Sequence, residues 1–232
     1  MKIGILVHGR HVEAQGWEYM MWGNPPHILG LLPRFIQIVL QYNLDSIDCI
    51  FIGSGVRTQT EHYESEHIYE FLIKNLDMIS QFESITPLFE TIADKDIWKS
   101  TLLSKIILDT ESQNTQQEIL NASSKLSGCD QILQITSCSH APRCIKTTSD
   151  LVTRGIVSTA PIWMVIPDMT PYFQTRPSDI CIFEPPHRSD DPFIEESITP
   201  NQVFQQLFRI KNHEDRVSIL RDVDKAIKKI ID

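Results

Sequence analysis

Four times along this chain a short apolar run stops at a polar turn, and a stretch with helical spacing follows. The runs are KIGILVH at 2–8, IDCIFIGSG at 47–55, KIILD at 105–109 and QILQIT at 131–136. Runs of this length bounded by turns predict strands buried on both faces. The segments between them place apolar residues at helical intervals, as Leu32, Phe35, Ile36 and Val39 do within 28–42. Further helices are predicted over 64–81, from the TESQNT turn to about 126, and from the fourth strand to about Thr153, with partial helix over 83–101. Strand-helix alternation argues for an α/β fold: a mainly parallel sheet with helices on both faces.

Two more strands are expected at 162–167 and 179–184, and helices at 200–210 and 213–231, the last carrying Ile219, Val223, Ile227 and Ile230 at helical spacing. No repeat, linker or low-complexity tract marks a boundary. The expectation is one α/β domain over 1–232, with room for a small helical subdomain within 56–101. Between the first strand and its helix, residues 8–26 form a long aromatic connection, HGRHVEAQGWEYMMWGNPP. Its Trp17, Tyr19 and Trp22 can lid a ligand or pack down on the domain.

The formal net charge is -9, with Lys and Arg scattered up to the C-terminal helix. That argues against nucleic acid or an anionic membrane as a partner, since both require concentrated positive charge. No apolar run approaches the roughly 18 residues of a membrane span, and MKIGILVHGR lacks the apolar length of a signal sequence. The five cysteines are odd in number and form no CxxC pair, which suits a reducing compartment better than a disulfide framework. A soluble cytoplasmic protein with a small-molecule ligand is the expectation, its oligomeric state left open.

An open α/β sheet binds ligands beyond the C-terminal ends of its strands. Those ends deliver His8-Gly9-Arg10, Ser54-Gly55, Asp109 with Glu111-Ser112, and Thr136-Ser137-Cys138-Ser139-His140. The last is followed at once by a helix carrying Arg143, so free N–H groups, hydroxyls and a cation meet there. His140 and Arg143 share a helix face, and His140 can serve as a base, a donor to phosphate, a metal ligand or a simple cap. Glu111 precedes its helix and can bind a ribose diol, an amine or a metal, or pair with Arg143. Ser112, Asn114 and Thr115 are capping candidates as well as ligand contacts, and Thr115 with Glu118 has capping-box spacing. Cys138 is either a reactive thiol or a small buried residue. His8, His11, His27 and His187 form no standard zinc spacing, so no metal ligands are assigned. No HExxH, GxSxG, GxxxxGK[ST] or GxGxxG motif occurs, which disfavours the commonest hydrolase, NTPase and dehydrogenase classes.

These segments, in order, resemble the YdcF/SanA/ElyC-like family, also called domain of unknown function 218. Arg34 stands in the helix after the first strand, FIGSG at 51–55 is similar to the family's strand ending in Ser-Gly, and ESEHIYEFL at 64–72 to its Ser-Glu-Ala helix start. DTESQNTQQE at 109–118 resembles the Glu-x-x-Ser-x-Asn-Thr-x-Glu-Asn motif, and ITSCSHAPR at 135–143 the Thr-Ser-x-x-His-x-x-Arg-Ala motif. The resemblance covers roughly 28–150 and implies a Rossmann-like, doubly wound α/β fold with a cleft lined by Ser54, Glu66, Glu111, Ser112, Asn114, Thr115, His140 and Arg143. Glu111 and Ser112 are adjacent here, so Glu111 or Asp109 can take the acidic position. Cys144 replaces the usual Ala, and HGRHVEAQGW replaces a Gly-rich first turn. Without an anchor the chain looks like the soluble branch, with which S-adenosylmethionine binding is associated.

Three functions are expected on these grounds. The first is binding of a nucleotide-like or S-adenosylmethionine-type ligand at the strand ends, with transferase activity. The second is a hydrolase or phospho-ligand enzyme using His140 with Glu111 or Asp109. The third is a non-catalytic regulatory protein.

Overall fold

The apolar runs form strands because their side chains alternate between two helical layers, each supplying its own hydrocarbon. In the computed structural model, residues 1–10, 12, 16–170, 214, 215, 217–219, 221, 222 and 225 are described. The chain divides into two units, Met1–Ile180 and Cys181–Asp232, and the sheet with its flanking helices belongs to the first. The strand expected at 179–184 and the helix at 200–210 lie outside the described residues, and those described within 213–231 are helical.

In chain order the elements of the first unit are β1 (Ile3–Val7), α1 (Trp17–Trp22), β2 (Gly23–Asn24), β3 (Ile28–Leu29), α2 (Leu31–Tyr42), β4 (Ile47–Ile52), α3 (Glu64–Asn75), α4 (Thr86–Glu90), α5 (Lys95–Ser104), β5 (Ile106–Leu108), α6 (Thr115–Lys125), β6 (Gln131–Thr136), α7 (Ala141–Thr153) and β7 (Ile162–Pro167). Five strands make one parallel sheet in the order β5-β4-β1-β6-β7. The chain steps outward from β1 through β4 to β5, then returns to the other side of β1 for β6 and β7. The fold is therefore Rossmann-like, with the direction of winding reversing between β1 and β6.

Ile3, Ile5 and Val7 of β1 face a large core with Phe35, Ile36 and Val39 of α2 and Ile68 and Leu72 of α3. Leu6 faces the opposite side, where Phe51, Ile119, Ala122, Ile132 and Leu151 form a smaller core under α6 and α7. Each fully buried aliphatic side chain contributes about 1.5–3 kcal/mol relative to exposure.

Some boundaries differ from the sequence expectation. The helix expected from 28 starts at Leu31, because Gly30 is extended and Ile28–Leu29 pairs antiparallel with Gly23–Asn24. The helix expected over 64–81 is α-helical only to Asn75 and continues as a 3-10 helix over Leu76–Gln81. The aromatic connection is not all loop: α1 packs Trp17 on Phe71 and Trp22 between Phe71 and Phe82, so these rings belong to the large core. Among the described residues no helix is long and apolar enough to cross a membrane.

Candidate functional site

The alternation that sends Leu6 toward α6 and α7 carries His8 to the same side, one residue past the end of β1. The ring is 1% exposed. Its Nδ1 lies 2.7 Å from Glu118 Oε2 and its Nε2 2.9 Å from Gln134 Oε1. Gln134 Nε2 donates to Thr148 Oγ1 at 2.9 Å, which turns the amide oxygen toward His8. Both ring nitrogens thus face acceptors, the arrangement of an imidazolium. Burial opposes the charge, but the Cys144 sulfur and the Glu118 carboxylate outweigh it and hold the His8 pKa up to about 10. Glu118 also accepts the Gly9 N–H at 3.1 Å. Glycine is required there for close approach: a Cβ on Gly9 would lie 2.1 Å from Ser54 Cβ and 2.9 Å from Glu118 Oε1.

His140 is the N-cap residue of α7. Its ring stands edge-on to that of His8, centroids 5.7 Å apart, and its Nε2 lies 3.1 Å from Thr115 Oγ1 in the first turn of α6. Burial first, then the charges of His8, Arg143 and Arg10, hold its pKa down to about 3. One imidazole is therefore charged and its neighbour neutral, as expected of two rings sharing a buried space. One helical turn on, the Cys144 N–H donates to the His140 carbonyl at 3.1 Å. The Cys144 thiol is fully buried, with Sγ 3.8 Å from Thr136 Oγ1. A ligating atom from each of His8, His140 and Cys144 falls within 4.8 Å of the other two.

Further networks hold the ends of β4, β5 and β6. After β4, Ser54 adopts a left-handed backbone (φ 81) and its hydroxyl donates to Glu64 Oε2 at 2.5 Å. Glu64 Oε1 accepts the Val12 N–H at 3.3 Å. After β5, Asp109 Oδ1 accepts the N–H groups of Glu111 and Ser112 at 3.0 and 3.1 Å. The Gly55 N–H donates to the Ser112 carbonyl at 2.8 Å, and Asn121 Nδ2 donates to Ser112 Oγ at 2.9 Å. After β6, the Ser137 carbonyl accepts the N–H groups of His140 and Ala141, and Ser137 Oγ lies 3.1 Å from Ser139 Oγ. Asp168 accepts the Cys138 N–H at 3.2 Å and the Thr170 hydroxyl at 2.8 Å. Burial lifts the Asp168 pKa to about 6 against these bonds and the Arg10 charge.

Of the residues expected at the site, Thr115 and His140 meet directly, Gly55 meets Ser112, and Thr136 lines the Cys144 thiol. Glu66 instead closes a capping box at the start of α3, accepting the Tyr63 N–H at 2.8 Å, and Glu64 takes the contact with Ser54. Asn114 caps α6 by accepting the Gln117 N–H at 3.0 Å. Arg143 and Glu111 are exposed, and among the described residues their side chains bond neither to each other nor to His140. Cys138 is exposed, with its thiol 2.9 Å from the Asp168 carbonyl.

The sequence placed His8 at this edge of the sheet, but its partners Glu118, Gln134 and Cys144 were not assigned to the site. Three local signals mark them. Gln134 interrupts an apolar strand, Glu118 lies one turn before Ala122 on the buried face of α6, and Cys144 follows His140 by one turn. No protein-family model matches the sequence, and neither does any curated protein.

Proposed function

We propose that this chain binds a nucleotide-like or S-adenosylmethionine-type ligand above the ends of β1 and β6, with group transfer as the reaction it serves. The observation that carries this reading is the position of the polar centre: His8, Glu118 and His140 gather where the winding of the sheet reverses. Open α/β sheets take their ligands at that point, because the two halves diverge and leave a crevice. Arg143, exposed in the first turn of α7, supplies a cation for a carboxylate or phosphate. Glu111, exposed before α6, supplies an acceptor for a ribose diol or an amine. The motif resemblance at 109–118 and 135–143 supports the same two segments as ligand walls.

Thermal unfolding of the full chain with S-adenosylmethionine, ATP and AMP tests this. A rise in Tm with one of them is expected, and Arg143→Ala should abolish the rise while leaving the unliganded Tm unchanged. No rise with any of the three at millimolar concentration overturns the reading, since ligand at 100 times Kd adds about 2.7 kcal/mol.

One contact favours a second reading, a hydrolase or phospho-ligand enzyme. The Thr115 hydroxyl lies 3.1 Å from the His140 imidazole at the start of a helix, the pairing that lets a ring move a hydroxyl proton. A phosphatase and esterase screen distinguishes the two: turnover lost in His140→Ala, with the fold retained, selects hydrolysis.

A further inference from the structure

We propose that His8, His140 and Cys144 form a binding site for a thiophilic divalent transition metal of the zinc class. The three residues come from two elements that meet at the reversal of the sheet: the end of β1, and the cap and first turns of α7. His140 and Cys144 are one helical turn apart, the spacing that puts two side chains on one helix face. His8 reaches the same space from the neighbouring strand, its ring edge-on to that of His140.

Two imidazole nitrogens and one sulfur suit zinc, cobalt or copper and not magnesium or calcium, which require oxygen. Around a tetrahedral ion the ligand atoms stand about 3.3–3.8 Å apart, given metal–ligand distances of about 2.0–2.3 Å. The three atoms here already lie within 4.8 Å of one another, so side-chain rotation closes the remainder. The outer shell is in place as well. Glu118 receives His8 Nδ1 at 2.7 Å, the carboxylate–histidine contact that fixes a ligating ring. Thr115 holds the second ring at 3.1 Å, and Thr136 Oγ1 lies 3.8 Å from the sulfur. Binding exchanges the Gln134 oxygen at His8 Nε2 for the metal and releases the Nε2 proton and the Cys144 thiol proton to solvent. Three protein ligands leave a fourth position for water or a substrate atom. This site goes beyond the nucleotide-ligand reading and does not depend on it.

The test is titration of the full chain, free of any added histidine tag, with Co2+ and Zn2+. One equivalent of Co2+ should bind and give a sulfur-to-cobalt charge-transfer band, displaced by Zn2+. Cys144→Ser should lose the band, His140→Asn should weaken binding by about tenfold or more, and Cys138→Ser should behave as the parent. Circular dichroism confirms that each variant folds, and if Cys144→Ser does not, His140→Asn carries the test, since that ring is only partly buried. Absence of stoichiometric Co2+ binding overturns the proposal, as does a charge-transfer band that survives Cys144→Ser or binding unaltered in His140→Asn.

Discussion

Glu118→Gln keeps the shape of a buried side chain and removes its charge. Glu118 is 5% exposed and its partner His8 1%. The amide oxygen can still accept the Gly9 N–H, now 3.1 Å from Oε1, so that bond survives. What is lost is the carboxylate 2.7 Å from His8 Nδ1, which leaves a buried imidazolium uncompensated. Removing one partner of a buried pair costs about 3–5 kcal/mol, and the surviving Gly9 bond places the expected loss at the lower end, about 3 kcal/mol. In urea, with a slope of about 1–3 kcal/mol per molar, the midpoint should fall by about 1 M or more with the slope unchanged. The cycle closes with His8→Gln and the double variant. Once neither residue carries charge, the double variant should recover about 1.5–3 kcal/mol relative to the sum of the singles. A loss below about 1 kcal/mol, the ceiling of a solvent-exposed pair, or strictly additive singles, would refute the idea that this pair anchors the site.

Three further outcomes are expected. Burial raises the Asp168 pKa from 3.8 to about 6, so the folded chain keeps a proton that the unfolded chain releases between those values. Its contribution is present in full below about pH 4 and is lost as pH rises through about 6, about 3 kcal/mol in all; Asp168→Asn should remove that slope from stabilities measured by denaturant at stepped pH. Gly55→Ala would bring a Cβ to 2.2 Å from the Glu111 backbone nitrogen. Backbone cannot yield as a side-chain tip does, so a loss of about 2 kcal/mol or more is expected by calorimetry. Asn114→Ala removes the acceptor for the Gln117 N–H and should cost about 1 kcal/mol by urea unfolding; an unchanged midpoint would show that the first turn of α6 needs no cap.

The sheet was legible because burial on both faces leaves continuous apolar runs, and β1, β4, β5 and β6 all fall inside the runs read from sequence. The convergence of polar residues was legible for a related reason: topology alone brings the strand ends to one edge, where the candidate site lies. The internal wiring was not. Glu118 follows Thr115 by three residues, which reads as a local capping box. Asn114 wins that role because its extended backbone and short amide reach Gln117, and Gln117 reaches back to the Gln113 N–H. Glu118 is thereby freed to turn inward to a histidine 110 positions away. Spacing along one helix carries no information about such a partner. Glu66 and Glu64 show the same difficulty, since two acids in one turn divide between capping and Ser54 according to the direction each side chain takes.

The placement of His8 has a consequence for how the chain folds. β1 is the central strand, paired on both sides, and its odd residues Ile3, Ile5 and Val7 enter the larger core while Leu6 enters the smaller. A slip of one residue against β4 and β6 would exchange the two faces. Val7 and Leu6 are near equivalents and would exchange at little cost, whereas an isoleucine in the place of Gly4 would meet Cys129 and Leu126, since even a Cβ there lies 3.0 Å from Cys129 Sγ. His8 is not: the slip would drive a charged ring into hydrocarbon and leave Glu118 facing a valine. The polar centre therefore acts, together with Gly4, as a key for strand alignment, rejecting a slip of one residue.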